Sequence, residues 1–189
     1  VLFADAEKYS ALSETMGPAE LKTFMNRYYE VLFTPVKKHR GRVLDVVGDA
    51  MLAIWYGEAL NAETRSGPCR AALEMAEAMA EFNRTTDGPK LPVRIGLHSG
   101  HVSIGTVGAI DHFEYRAVGD CVNTASRLEG LNKYLKTRIV VSEDVIAGLD
   151  NFLTRPLGRF ILAGKVKAFV VPMDQPLARL AEQSATEMW

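Results

Sequence analysis

The chain has 189 residues, 48% apolar and 24% charged, with 22 basic against 23 acidic side chains and a formal net charge of −1. That balance excludes a nucleic-acid or anionic-membrane surface as the organising feature, so any phosphate must be held by local positive charge. Two cysteines, Cys69 and Cys121, make no disulfide framework and suit a reducing cytoplasm; no apolar run approaches the ~18 residues of a membrane span.

The chain opens on Val1-Leu2-Phe3-Ala4-Asp5, an apolar strand that ends in a carboxylate before the polar Glu7-Lys8-Tyr9-Ser10. Because Val1 starts in mid-strand without a Met, an upstream segment carrying a regulatory domain or anchor is expected. Gly17-Pro18 opens a helix, since Pro at the first helical position has its φ pre-set and needs no N–H partner. Leu21, Phe24, Met25, Tyr28, Val31 and Leu32 recur at three and four and predict a core-facing stripe. Pro35 predicts a kink or early end, and Gly41 a close. Residues 43–55 are two apolar runs joined by Gly48-Asp49, the pattern of a tight hairpin with Asp49 at its turn.

Residues 57–67 are polar with no assigned element. A second helix from Pro68 or earlier to about Asn83 follows, with Ala71, Ala72, Met75, Ala76, Met79 and Phe82 as its apolar stripe. Residues 92–104 read as a strand broken at Gly96 and Gly100, where glycine marks a bulge, a bend or close backbone approach. His98 and His101 lie an odd number apart, so they face opposite ways and are structural or surface residues rather than a shared metal pair. A strand over 113–118 feeds a helix from about Asp120 to Leu131; residues 138–141 form a strand, and Ser142 caps a short helix. Residues 158–162 and 168–171 flank 163–167 in a last hairpin. The predicted organisation is one domain over 1–173 and a tail over 174–189 with weak helical periodicity. Strands and helices interleaved around an antiparallel hairpin predict an α+β fold, helices layered on a mixed, mostly antiparallel sheet.

Asp5 and Asp49, each at a strand end, are candidate ligands for a hard divalent cation, because Mg²⁺ takes one or two carboxylates together with waters and substrate phosphates. Alone, each also fits a cap or a solvated turn residue. A third stretch, Gly119-Asp120-Cys121-Val122-Asn123-Thr124-Ala125-Ser126-Arg127-Leu128-Glu129, places Asn123 and Arg127 on one face of a helix. In this order, Phe3-x-Asp5, Gly48-Asp49 and Asn123-x-x-x-Arg127 closely resemble the class III nucleotide cyclase catalytic domain, from Val1 to about Val171.

The resemblance implies a ferredoxin-like core extended by further strands, working as a head-to-tail homodimer with the nucleotide at the interface. It implies that Asp5 and Asp49 hold two Mg²⁺ or Mn²⁺ ions, while Asn123, Arg127 and Lys165 come from the other subunit. Arg127 would meet charge on the α-phosphoryl oxygens, Asn123 the ribose, and Lys165, with Lys167 as fallback, the terminal phosphates. The implied reaction converts a purine nucleoside triphosphate to a 3′,5′-cyclic monophosphate and pyrophosphate in intracellular signalling. Plainer roles stay open: Arg127 paired with Glu129 or Glu114, Asn123 capping a strand, Lys165 in a solvated turn. So does a second class of function, a catalytically silent module that keeps the dimer and senses nucleotide.

The base-reading positions depart from the family. Adenylate cyclases of this class carry Lys four residues before the Gly-Asp aspartate and Asp or Thr three residues before the second Gly; guanylate cyclases carry Glu and Cys. Here those places hold Asp45 and Arg116. An acceptor and a donor suit the edge of guanine, yet the two can also pair with each other. Bacterial members of the family are mostly adenylate cyclases, which tips the expectation to ATP.

Overall fold

A computed structural model describes residues 1–57 and 61–162, and the backbone of 168–174. The chain runs β1 (Leu2–Ala6), α1 (Tyr9–Thr15), α2 (Pro18–Lys38), β2 (Arg42–Val47), β3 (Ala50–Ile54), α3 (Ala62–Thr85), β4 (Val93–Leu97), β5 (Ser103–Ala109) and β6 (His112–Val118). There follow α4 (Asp120–Leu135), β7 (Ile139–Val141), α5 (Glu143–Ile146), β8 (Thr154–Ile161) and β9 (Ala168–Asp174). Seven strands form one sheet in the order β2-β3-β1-β4-β7-β9-β8, and β5 pairs β6 in a separate two-stranded sheet. Among the described residues only β4 and β7 pair in parallel. The unit β1-α2-β2-β3-α3-β4, with β1 between β3 and β4, is a ferredoxin-like core, and the α+β expectation holds.

The period of two along β1 decides which side chains meet which layer. Leu2, Ala4 and Ala6 are buried against Tyr28, Leu32 and Val36 of α2 and Met75 and Met79 of α3. Phe3 and Asp5 point to the other face, where Phe3 packs with Leu52, Ile54 and Ala117. Both predicted apolar stripes face this core. Each fully buried Leu or Met contributes about 1.5–3 kcal/mol, so the sheet between α2/α3 and α4 is a stiff platform.

Several expectations are corrected. The early end at Pro35 is not seen: helix α2 runs through it to Lys38 and stops three residues later, giving up one ladder bond at the proline. Its stop is a Schellman arrangement with Arg40, at φ 61, in the left-handed position, and Gly41 N–H donating to Val36 O at 2.8 Å. Gly41 is required for a different reason: a Cβ there would lie 2.5 Å from the Trp55 ring. Helix α3, expected from Pro68 or earlier, does begin earlier, at Ala62, where Asn61 Oδ1 accepts from Thr64 N–H at 2.8 Å. The strand expected over 92–104 is two strands, β4 ending at Leu97 and β5 starting at Ser103. Between them the chain leaves the main sheet for the β5–β6 hairpin; β6 meets the strand expected over 113–118, whereas its pairing with β5 and helix α1 were not expected. Ser142 stands at the start of α5, but its hydroxyl bonds His98 Nδ1 at 2.7 Å instead of capping the helix. His98 is buried and His101 exposed, in keeping with structural and surface roles. Among the described residues no helix is long and apolar enough to cross a membrane.

Candidate active site

Asp49 owes its position to a two-residue turn. Gly48 adopts φ 61, the left-handed region that costs glycine nothing, and Val47 pairs directly with Ala50 across it. From that turn Asp49 Oδ2 reaches over β1 and accepts from Ala6 N–H at 3.2 Å. Helix α2 clamps the turn from below: Tyr28 Oη donates to Asp49 O at 3.1 Å, and Tyr29 Oη donates to Gly48 O. Burial and the nearby carboxylates push the Tyr28 hydroxyl well up, so it stays a donor.

Asp5 and Asp49 therefore meet at one end of the sheet. The Asp49 carboxyl is pushed up to about 6, by burial first and then by its hydrogen bond and charge repulsion with Asp5. Two carboxylates held against each other form a site that favours a divalent ion, which relieves their repulsion. Among the described residues no group of three or more His, Cys, Asp or Glu could hold a metal, so substrate phosphates and water would complete the coordination. This donor set fits Mg²⁺ or Mn²⁺.

Sequence reasoning missed Arg94 and Glu129. Arg94 stands opposite Asp5 in the β1–β4 register, with Nη2 3.5 Å from Asp5 Oδ2 and Nε 2.9 Å from Glu129 Oε1. The closer contact is an ion pair without hydrogen-bond alignment, since neither of its two atoms has a hydrogen-bond partner. Glu129 is 6% exposed; burial pushes its carboxyl up to about 7 against the opposing pull of Arg94. The available signal was Gly96: a Cβ there would stand 2.2 Å from Ala125 O and 2.3 Å from Glu129 N. Its absence lets α4 lie directly on β4, where Asn132 Nδ2 also donates to Ile95 O at 3.0 Å.

Helix α4 has two faces of different character. Cys121, Thr124, Ala125, Leu128, Glu129 and Asn132 are buried on the sheet. Asn123 is exposed and Arg127 half-exposed on the other side, and neither side chain has a hydrogen bond or ion pair among the described residues. The plainer pairings of Arg127 are not made, because Glu129 pairs with Arg94 and Glu114 with Arg116 and His112. Asp5 and Asp49 thus come together, Asn123 and Arg127 come together, and no hydrogen bond or ion pair joins the two sets.

Asp45 and Arg116 do meet, at 3.7 Å between Oδ2 and Nη2. A bulge between Val43 and Asp45 re-aims β2 toward β6. Arg116 Nε also lies 2.5 Å from Glu114 Oε2, so its guanidinium faces two carboxylates. Lys165 and Lys167 lie outside the described residues, as do residues 175–189 of the tail.

Residues 1–173 match the family model described as adenylate and guanylate cyclase catalytic domain. Adenylate cyclase 1 of Rhizobium meliloti (strain 1021) is 32% identical over 171 residues, 88% of this chain and 26% of that protein. The adenylate cyclase of Anabaena cylindrica is 32% identical over 159 residues, 79% of this chain and 30% of that protein. The chain therefore spans between a quarter and a third of the length of these relatives. Among solved structures, the adenylyl cyclase of P. aeruginosa superposes with a TM-score of 0.79 at 19% identity, covering 93% of this chain and 92% of that one. A guanylate cyclase domain from Catenaria anguillulae in complex with GTP gives 0.74 at 23% identity, covering 93% and 95%. At such identities the likeness shows the shared fold, while the family match rests on the sequence itself. The chain belongs to the adenylate and guanylate cyclase catalytic domain family.

Proposed function

We propose that this chain is the catalytic unit of a class III nucleotide cyclase that works as a homodimer, with ATP as the favoured substrate. One observation carries the reading: the like-charged Asp5 and Asp49 on one side, and on the outer face of α4 Asn123 beside an Arg127 that has no ion pair among the described residues and turns away from them. A second copy placed head to tail would bring each half to the other, giving two equivalent sites. The exposed apolar side chains Val46, Val47, Val107, Ile110, Phe113, Tyr115 and Val118, on β2 and the β5–β6 hairpin, support an interface with that copy.

In the reaction the ribose 3′-hydroxyl gives its proton to water and its oxygen attacks the α-phosphorus, the bond from that phosphorus to the oxygen bridging the β-phosphate breaks, and pyrophosphate leaves with the electron pair. Divalent ions bound by Asp5 and Asp49 would supply activation of the 3′-hydroxyl and charge neutralisation of the triphosphate. Arg127 stabilises charge developing on the α-phosphoryl oxygens by its permanently charged, forked donors. Asn123 orients the ribose, and Lys165 holds the terminal phosphates. The backbone bond from Ala6 to Asp49 and the two tyrosines fix the carboxylates before substrate arrives, so little reorganisation is left to the reaction. The greater length of the relatives supports regulatory sequence outside this chain.

The direct test is pyrophosphate release from ATP and from GTP with Mg²⁺ or Mn²⁺. Cyclic nucleotide and pyrophosphate in equal amounts, dependent on the cation and on dimer concentration, are expected. Nucleotide binding without release would leave a sensing module instead.

A further inference from the structure

Arg94 stands between two carboxylates. It is 2.9 Å from Glu129, on the buried face of α4, and 3.5 Å from Asp5, at the end of β1. The pairing with Glu129 is built into the fold: Gly96 lets α4 touch β4, and Asn132 locks the contact to the Ile95 carbonyl. Glu129 has no other cation among the ion pairs of the described residues, and Asp5 has no other either. One guanidinium thus serves a structural carboxylate and a candidate metal carboxylate at once.

We propose that Glu129 is a positioning residue for the metal site: by holding Arg94 against α4 it keeps the guanidinium from closing on Asp5, which stays available to a divalent cation. The proposal rests on the reading of Asp5 and Asp49 as metal ligands. Arg94 and the cation compete for one carboxylate because both are positive and both seek Asp5 Oδ2. Whichever side loses its counter-charge gives ground to the other. Without Glu129, Asp5 becomes the nearest anion to a half-buried guanidinium, and the ion pair tightens at the cation's expense. Arg94 is therefore needed neither to bind the cation nor to hold it. Its removal should favour binding, whereas removal of Glu129 should oppose it.

Mn²⁺ alone, without nucleotide, is the probe, its binding followed by the loss of the free-ion electron paramagnetic resonance signal and by calorimetry. Glu129→Gln, nearly isosteric, should weaken Mn²⁺ binding about tenfold, the lower end of what partners behind metal ligands contribute. Glu129→Asp, which keeps the charge on a shorter arm, should recover part of that loss. In an Arg94→Gln background the Glu129→Gln change should have no effect, since the competitor is gone, and Arg94→Gln itself should bind at least as tightly as the parent. A mere packing role predicts equal losses in both backgrounds, and that result, or unchanged Mn²⁺ binding in Glu129→Gln, would overturn the proposal. If Glu129→Gln does not fold, Glu129→Asp measured in both backgrounds reads the same interaction. Asp5→Asn is the control for the underlying reading. If it binds Mn²⁺ like the parent, the metal assignment fails first and the proposal with it; if it loses binding while Glu129→Gln does not, only the proposal fails.

Discussion

Asp49 and Asp45 belong to the same hairpin, four residues apart, and have opposite electrostatic settings. Asp49 faces another carboxylate, Asp5, and burial together with that neighbour holds the Asp49 carboxyl up to about 6. Asp45 faces Arg116 at 3.7 Å and is neutralised within the fold. The difference lies in the turn and the bulge: Gly48 turns Asp49 over the end of β1, while the irregularity after Val43 aims Asp45 at β6. A like-charged pair is costly to fold and is maintained where a ligand can relieve it; an opposite-charged pair is already relieved and has less need of one. By that criterion Asp5 and Asp49 are the pair better suited to the proposed metal site, and Asp45 and Arg116 the pair less available to a ligand.

The largest effect should come from breaking the like-charged pair. Asp5→Asn or Asp49→Asn removes a negative ligand at almost constant volume and should lower divalent-dependent turnover by at least about a thousandfold, the several kcal/mol that metal-ion catalysis supplies. The metal-free variant should melt no lower than the parent, because the repulsion has gone as well. Near-parental turnover in either variant would exclude the two-carboxylate site. A complementation experiment asks next whether the carboxylates are served by the other copy of α4. Mixing inactive Asp49→Asn with inactive Arg127→Ala should restore about a quarter of parental activity, since half the dimers are mixed and each has one intact site. Failure to recover despite demonstrated subunit exchange would show that each chain uses its own Arg127.

How much of this was legible in the sequence follows the same division. Asp5, Asp49, Asn123 and Arg127 stand in short ordered motifs, and their local settings, a strand end, a Gly-Asp turn and one helix face, were readable from spacing. Arg94 and Glu129 were not, because what brings them to Asp5 is strand register and a helix seated on a glycine, and neither is a local property. Gly96 is compatible in sequence with a bulge, a bend or close backbone approach, and spacing names neither the choice nor the partner, α4. The run over 92–104 shows the converse failure. Its apolar and glycine pattern is continuous, yet the chain leaves the sheet after Leu97, since β4 is central there and β5 belongs to the outlying hairpin. Helix α1 was silent because it buries a single residue, Leu12, and so has no stripe to detect.

A smaller effect should appear in the pH dependence of stability without metal. Asp49 and Glu129 have folded values near 6 and near 7, raised from 3.8 and 4.5. The folded chain therefore holds protons more tightly than the unfolded chain, and the stabilisation they supply is present in acid and lost as pH rises through those values. The melting temperature of the metal-free protein should fall by a few degrees as pH rises from about 5 to about 7.5. Asp49→Asn and Glu129→Gln should each flatten part of that slope, and saturating Mg²⁺ should cancel the Asp49 part. A melting temperature that rises across the window in the parent would contradict the raised Asp49 and Glu129 carboxyls.

The smallest expected effect tests the opposite-charged pair. Guanine offers O6 as an acceptor beside N1–H and N2–H donors, and adenine offers an amino donor beside ring acceptors. Arg116 would suit O6 if it were free, but its Nε lies 2.5 Å from Glu114 and its Nη2 faces Asp45. A guanidinium held by two carboxylates gives little to a base, so the parent should discriminate between ATP and GTP by less than about tenfold in kcat/KM, as expected where no dedicated hydrogen bond separates two ligands. Asp45→Lys with Arg116→Thr breaks the pair from both sides, leaving a cation that can donate to an adenine ring nitrogen and a hydroxyl that can accept from its amino group. The ratio should then move toward ATP by at least about tenfold, the ~1.4 kcal/mol of one good base contact. Arg116→Thr alone should move it less, because Asp45 would remain as an unpaired acceptor suited to the N–H edge of guanine. A ratio unchanged in the double variant would show that neither position touches the purine, and that selectivity is set elsewhere in the interface.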